Sequence, residues 1–137
     1  MAIALDSTLS EEDRNIIRDL IERQWVAFDL SRDWEKWLAT ADPDVVYMPA
    51  DEPSLRGHAA LRAWMDHFPQ ILKVTHSVEE MDGSANHAVA RCTAEIAVEM
   101  DGKRIENNGK FLCYFRKNES EKWLLKWVCV SWDHPHA

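Results

Sequence analysis

The chain has 137 residues, 46% of them hydrophobic and 29% charged, which fits one domain with an ordinary core. A formal net charge of -8, with no cluster of Lys and Arg, argues against a nucleic-acid surface, because phosphate contacts need concentrated positive charge. There is no apolar run of ~18 residues to cross a membrane, and three widely spaced cysteines fit reduced thiols in a cytoplasmic protein better than a disulfide framework.

Residues 1–6 lack the basic start and apolar stretch of a signal peptide, and residues 1–9 read as a frayed tail. Ser10 is a good N-cap, and Glu11, Glu12 and Asp13 suit the positive end of a helix. Ile16, Ile17, Leu20, Ile21, Trp25 and Phe28 then recur at three- and four-residue steps, which predicts one helix to about Ser31. Asp33 opens a second, short helix carrying Trp34, Trp37 and Leu38, with Pro43 in the turn beyond it. Val45 to Met48 reads as a short strand and Pro49 to Ser54 as a loop. A third helix runs from about His58 to Phe68, with Leu61, Trp64, Met65 and Phe68 on one face, and Pro69 ends it.

The remainder reads as antiparallel strands: Val74 to Met81, His87 to Met100, Lys103 to Lys117 and Trp123 to Trp132. Asp101-Gly102 is a strong hairpin signal, and residues 133–137 read as a second frayed tail. Helices first and strands afterwards predict a single α+β domain over 1–137. Alternation places Ala88, Ala90, Cys92, Ala94, Ile96 and Val98 in one inward row. A second inward row holds Ile105, Asn107, Gly109, Phe111, Cys113 and Phe115. The last strand is apolar on both sides, with Lys126 as the exception. A strand buried on both faces predicts a twofold homodimer through the outer sheet face, using Trp123, Leu125 and Trp127.

The order Asp33-Trp34, then Val45-Val46-Tyr47-Met48-Pro49, then Arg56-Gly57-His58 with Leu61-Arg62, followed by the long hairpins, resembles SnoaL-like and ketosteroid-isomerase-like proteins of the nuclear-transport-factor-2-like superfamily. The resemblance covers about Glu11 to Trp132. It implies a cone-shaped, curved mixed sheet with three helices on its concave face, a conical pocket, and dimerisation through the outer sheet surface. Ketosteroid isomerases use an Asp base with an oxyanion hole of Tyr and a protonated Asp. The corresponding positions here are Met48, about Trp25, and Phe111 or Cys113, none of which can serve. The expectation is therefore an oily hollow without the relatives' carboxylates.

The pocket expected from these readings is lined by Trp25, Tyr47, Met48, Trp64, Phe68, His76, Ile96, Asn107, Phe111, Cys113 and Phe115. Apolar walls with a few orienting polar groups fit a small hydrophobic or aromatic ligand, with lyase, isomerase or cyclase chemistry as the activity class that the resemblance implies. His76 and Tyr47 are the catalytic candidates, an imidazole being able to exchange protons near neutral pH. Asp42 and Asp44 read as turn residues around Pro43, and Arg56 and His58 as helix-capping groups. No metal is expected, because Cys92, Cys113 and Cys129 are too far apart in sequence and Asp133, His134 and His136 lie in a tail. No cofactor loop is present. The competing reading is a non-catalytic dimeric association module with a collapsed core.

Overall fold

The computed structural model describes residues 8–134. Ser10 caps the first helix by accepting a 3.0 Å hydrogen bond from the Asp13 amide. Helix α1 (Glu11–Asp19) passes through a π turn (Leu20–Gln24) into α2 (Trp25–Ser31). Arg32, in the left-handed region at φ 56°, ends it. The short α3 (Trp34–Leu38) is capped by Asp33, and α4 (Gly57–Asp66) follows a loop. The strands are β1 (Ala41–Met48), β2 (Leu55–Arg56), β3 (Gln70–Gly83), β4 (His87–Met100), β5 (Lys103–Lys117) and β6 (Trp123–Trp132). The elements follow the order read from the sequence, with β2 added and β1 and β3 starting four residues earlier. No helix among the described residues is long and apolar enough to cross a membrane.

The six strands form one curved mixed sheet in the order β2-β1-β6-β5-β4-β3, with β1 parallel to β6 and the other neighbours antiparallel. The helices pack on its concave face, as the α+β expectation requires. Asp101 and Gly102 both take positive φ (53° and 75°), so the β4–β5 hairpin closes in the tight turn that an Asp-Gly pair favours. Both inward rows are buried at the closed end of the cone, where Ala88, Ala90, Cys92, Cys113 and Phe115 have no exposed surface.

The last strand does not behave as its two-faced apolarity suggested. Its pairing with β5 slips between Tyr114↔Trp127 and Phe115↔Leu125, so Lys126 is an extra residue in a bulge. The bulge reverses the phase of the alternation. Before it, Trp123 and Leu125 point inward and are buried, at 4% and 0% exposure. After it, Val128 and Val130 point inward, while Trp127, 51% exposed, points out. One buried face thus accounts for most of the greasy residues. Trp123 and Leu125 belong to the domain's own core, which corrects their placement on an outer interface. Lys126 turns to Asp42, 3.4 Å away.

The described ends of the chain are held. Leu9 is buried in the core. The Asn107 amide donates to His134 O and accepts from His134 N, and the Asp133 amide donates to Asn108 O. The rest of the two expected tails lies outside the described residues.

Candidate functional site

A hollow of about 170 Å3 opens between the helices and the concave sheet. Five of the seven tryptophans border it: Trp25, Trp34, Trp37, Trp64 and Trp132. Tyr47, Phe68, His76, Ile96 and Phe111 complete the residues expected from the sequence that lie on this wall. The rings form a belt. Trp25 stacks on Trp37 at 5.1 Å, Trp37 meets Tyr47 edge-on at 6.3 Å, Tyr47 lies 5.1 Å from Trp64, and Trp64 lies 5.2 Å from Phe68. Gly109 makes room for part of the wall. A Cβ there would come within 2.5 Å of the Trp132 ring.

Four expected residues lie elsewhere. Met48 pairs with Cys129 in β6, which pairs with Leu112 in β5, and both of those are exposed. Met48 therefore shares their outer row, and Tyr47, one residue earlier, points inward. Cys113 and Phe115 are on the inner face but at the packed end, with Phe115 stacked 5.9 Å from Trp25. Burial pushes the Cys113 thiol up, and contact with Cys92 adds to the shift. Asn107 borders a second hollow of about 300 Å3, which shares Glu52, Trp64, Phe68, Ile96 and Trp132 with the first. Its amide is occupied by His134.

The largest correction concerns charge. Asp29, on α2, lines the hollow. Among the described residues its side chain makes no hydrogen bond or ion pair. Burial raises its carboxyl to a pKa of about 7, so it exists in both charge states near neutrality. The hollow is thus not free of acid machinery; the carboxylate comes from a helix position the resemblance did not point to. The signal was present in the sequence: Asp29 follows Trp25 by four residues and so shares its helix face. Glu52 sits at the rim, accepting from the Trp64 indole N–H at 3.2 Å. Lys110 also borders the hollow, but its ammonium is bonded to Asp133.

His76 stands on β3 with its Nδ1 2.9 Å from the carbonyl oxygen of Ile21. Only a protonated Nδ1 can donate to a carbonyl, so the neutral ring carries its lone pair on Nε2. Burial holds the imidazole below its usual range, opposed in part by that same bond and by Glu22. Its ring meets Phe111 edge-on at 5.0 Å. The Ile21 carbonyl lies in the π turn, where the Trp25 amide donates to Leu20 O, five residues back. β3 is the sheet's edge, and the first helix covers it: Glu22 accepts from the Val78 amide, and Arg14 and Arg18 donate to Met81 O and Val78 O.

The hollow can therefore hold an apolar, ring-bearing molecule beside two ionisable groups with opposite displacements. Burial opposes charge on both, so the imidazole stays neutral and the carboxyl holds its proton to higher pH. Tyr47 adds a phenol to the same wall, its ionisation pushed upward by burial and by Asp29.

No curated protein matches this sequence. Solved structures match in fold. A ketosteroid isomerase-like protein from Erwinia carotovora atroseptica SCRI1043 superposes with a TM-score of 0.76 at 21% identity, over 93% of this chain and 100% of its own. An NTF2-like protein with a cystatin-like fold from Novosphingobium aromaticivorans gives 0.69 at 21% identity, over 92% and 85%. An NTF2-like protein from Cytophaga hutchinsonii gives 0.72 at 11% identity, over 90% and 98%. At these identities the likeness establishes the fold alone. The SnoaL-like domain family matches residues 21–124, from the π turn to the start of β6, and the chain belongs to that family.

Proposed function

We propose that this domain binds a small apolar molecule in the Trp-lined hollow and moves a proton on it, as an isomerase- or lyase-type enzyme. One observation carries the reading: Asp29 and His76 lie on the wall of one apolar hollow, with their proton affinities displaced in opposite directions by burial. Titratable groups placed this way divide the acid and base roles between them. His76 Nε2 is the base, available because Nδ1 is committed to Ile21. Asp29 is the second ionisable group, and Tyr47 orients the ligand. A volume of about 170 Å3 suits a single-ring body, since cavities of roughly 150 Å3 hold benzene. Longer ligands extend past Trp64 into the neighbouring hollow.

The test is exchange of carbon-bound hydrogen. The protein is incubated in D2O with a panel of ring-bearing ketones, and deuterium uptake is read by mass spectrometry. Uptake that disappears in both His76→Gln and Asp29→Asn is expected. Uptake unchanged in both variants, or no uptake from any ketone by the wild type, rejects proton transfer.

The exposed outer face supports self-association as well. Val89, Leu112 and Trp127 are 41%, 51% and 51% exposed there, and the Tyr114 ring lies tilted against Trp127 at 4.7 Å. A homodimer through this patch is part of the reading, with Trp127 at its centre. The open hollow weighs against an association module with a collapsed core. Three free cysteines fit a reducing, cytoplasmic setting.

A further inference from the structure

We infer that the ligand is an organic ammonium ion, a ring-sized apolar body bearing a protonated or quaternary nitrogen, seated between Asp29 and the aromatic belt. The inference rests on the small-molecule reading and deepens it by naming the ligand's charge.

The first ground is the unanswered carboxyl. A buried carboxylate is costly unless a cation or several donors compensate it. Asp29 has neither among the described residues. Lys110 borders the same hollow, yet its ammonium is taken by Asp133. His76 is kept neutral by burial. In the empty hollow only solvent answers an ionised Asp29, so a ligand that fills the hollow and displaces that solvent has to bring the compensation itself.

The second ground is that three of the wall's N–H donors are already in use, and no cationic side chain on the wall is free to meet an anion. The Trp25 indole N–H goes to Thr40 Oγ1 at 2.9 Å, and that of Trp64 to Glu52. His76 Nδ1 is bonded to Ile21. The wall therefore offers mostly ring surface. Aromatic faces carry a negative quadrupole and attract a cation placed within about 6 Å of the ring centroid. Trp34, on this wall, already holds the Arg32 guanidinium 5.2 Å from its centroid. Glu52 adds a second negative group at the rim, which favours entry of a cation over an anion.

These features discriminate between ligand classes. An anion would meet Asp29 and Glu52 with few free donors. A neutral ligand would keep Asp29 in its protonated form and use the rings alone. An ammonium ion satisfies the carboxylate and uses the rings together. With it in place Asp29 is an anion and serves as counter-ion, which leaves His76 as the base.

The experiment uses the full chain and three probes of similar shape: benzyltrimethylammonium, its neutral carbon isostere neopentylbenzene, and phenylacetate. Binding is read by calorimetry and tryptophan fluorescence. The cation is expected to bind about tenfold more tightly than the isostere, the order of one desolvated cation–π contact. Asp29→Asn, with its fold checked by circular dichroism, should weaken the cation about tenfold and leave the isostere unchanged. Equal affinity for cation and isostere, tightest binding of phenylacetate, or an unchanged cation affinity in the variant overturns the ammonium assignment while leaving a small-molecule pocket standing. Binding of none of the three at millimolar concentration overturns both readings.

Discussion

His76 and Ile21 are joined by a hydrogen bond between an imidazole on the sheet's edge strand and a main-chain carbonyl in the π turn of the first helix. The bond fixes two things together: the tautomer of the ring and the distance between helix and strand. Side-chain caps from Arg14, Arg18 and Glu22 hold the same edge. The expected outcome in a 15N-detected titration is an Nδ1–H tautomer whose midpoint lies below the usual histidine value. A ring found as the Nε2–H tautomer would remove the base from the proposed chemistry.

Asp29 makes the opposite contribution to stability. Its folded pKa, about 7, lies above the ordinary aspartate value of 3.8. Between these values the folded chain binds the extra proton, so stability is greatest below about 3.8 and is lost as pH rises to about 7. Asp29→Asn removes that loss. At pH 8 the variant should be more stable by roughly 1–2 kcal/mol, a figure discounted from the full shift because the largely buried carboxyl keeps some contact with solvent across the hollow. At pH 4 the two proteins should be nearly equal. His76, with a lowered pKa, destabilises the fold as pH falls through the histidine range, so the two effects separate in single variants. Urea denaturation across pH 4–8 reads both. A variant no more stable than the parent at pH 8 would mean that Asp29 is solvated.

The sequence exposed the order of elements because each carries its own periodicity: steps of three and four through Ile17, Leu20 and Ile21, steps of two through Ala88, Ala90 and Cys92. The Asp-Gly hairpin was legible for the same local reason. Phase was harder to read. The Lys126 bulge changes which residues face inward without altering composition, so Trp123 and Leu125 looked like interface residues. Met48 was misplaced because a four-residue strand gives alternation but not its sense; only the pairing of Tyr47 with Val128 settles that. Asp29 was missed because a lone acid in a helix ordinarily faces water. Its inward placement depends on the α2–β3 packing, a tertiary fact.

Arg32 is the joint between the helical layer and the sheet. From its left-handed backbone position it sends its guanidinium to the carbonyls of Met65, Phe68 and Pro69, at 3.3, 2.9 and 3.2 Å. They lie at the C-terminal end of α4 and the entry to β3, where helix carbonyls lack intrahelical partners; Met65 O also accepts from the Phe68 amide at 3.1 Å. One planar fork can serve several carbonyls, whereas an ammonium serves fewer. Arg32→Ala should cost about 2–3 kcal/mol, in line with the loss of charge-assisted bonds to the Phe68 and Pro69 carbonyls and a weaker one to Met65 O. Arg32→Lys should recover only part of it. Chemical denaturation at neutral pH distinguishes these outcomes, and a loss below about 0.5 kcal/mol for Arg32→Ala would place those carbonyls in water.

Trp123 and Trp127 lie four residues apart on one strand, yet the bulge between them gives them different work. Trp123 is buried, and its indole N–H donates to Asp13 at 3.0 Å, with Lys117 over its ring at 5.1 Å. Asp13 is held below the usual carboxylate range: burial is the largest influence and raises it, but bonds from Trp123, Lys117 and Ser10 outweigh that. Trp123→Ala should therefore cost about 3–5 kcal/mol, a core cavity together with the loss of one of the bonds that hold the Asp13 carboxylate. Trp127 is half-exposed on the outer face, so Trp127→Ala should change the unfolding free energy by no more than about 1 kcal/mol per protomer. Its effect should appear in association instead. Trp127→Glu would place two like charges across the proposed twofold patch and should yield a folded monomer by light scattering. If that variant stays dimeric, the outer face is not the interface. If Trp123→Ala is the substitution that dissociates the dimer while leaving the fold intact, the phase reversal at Lys126 is wrong.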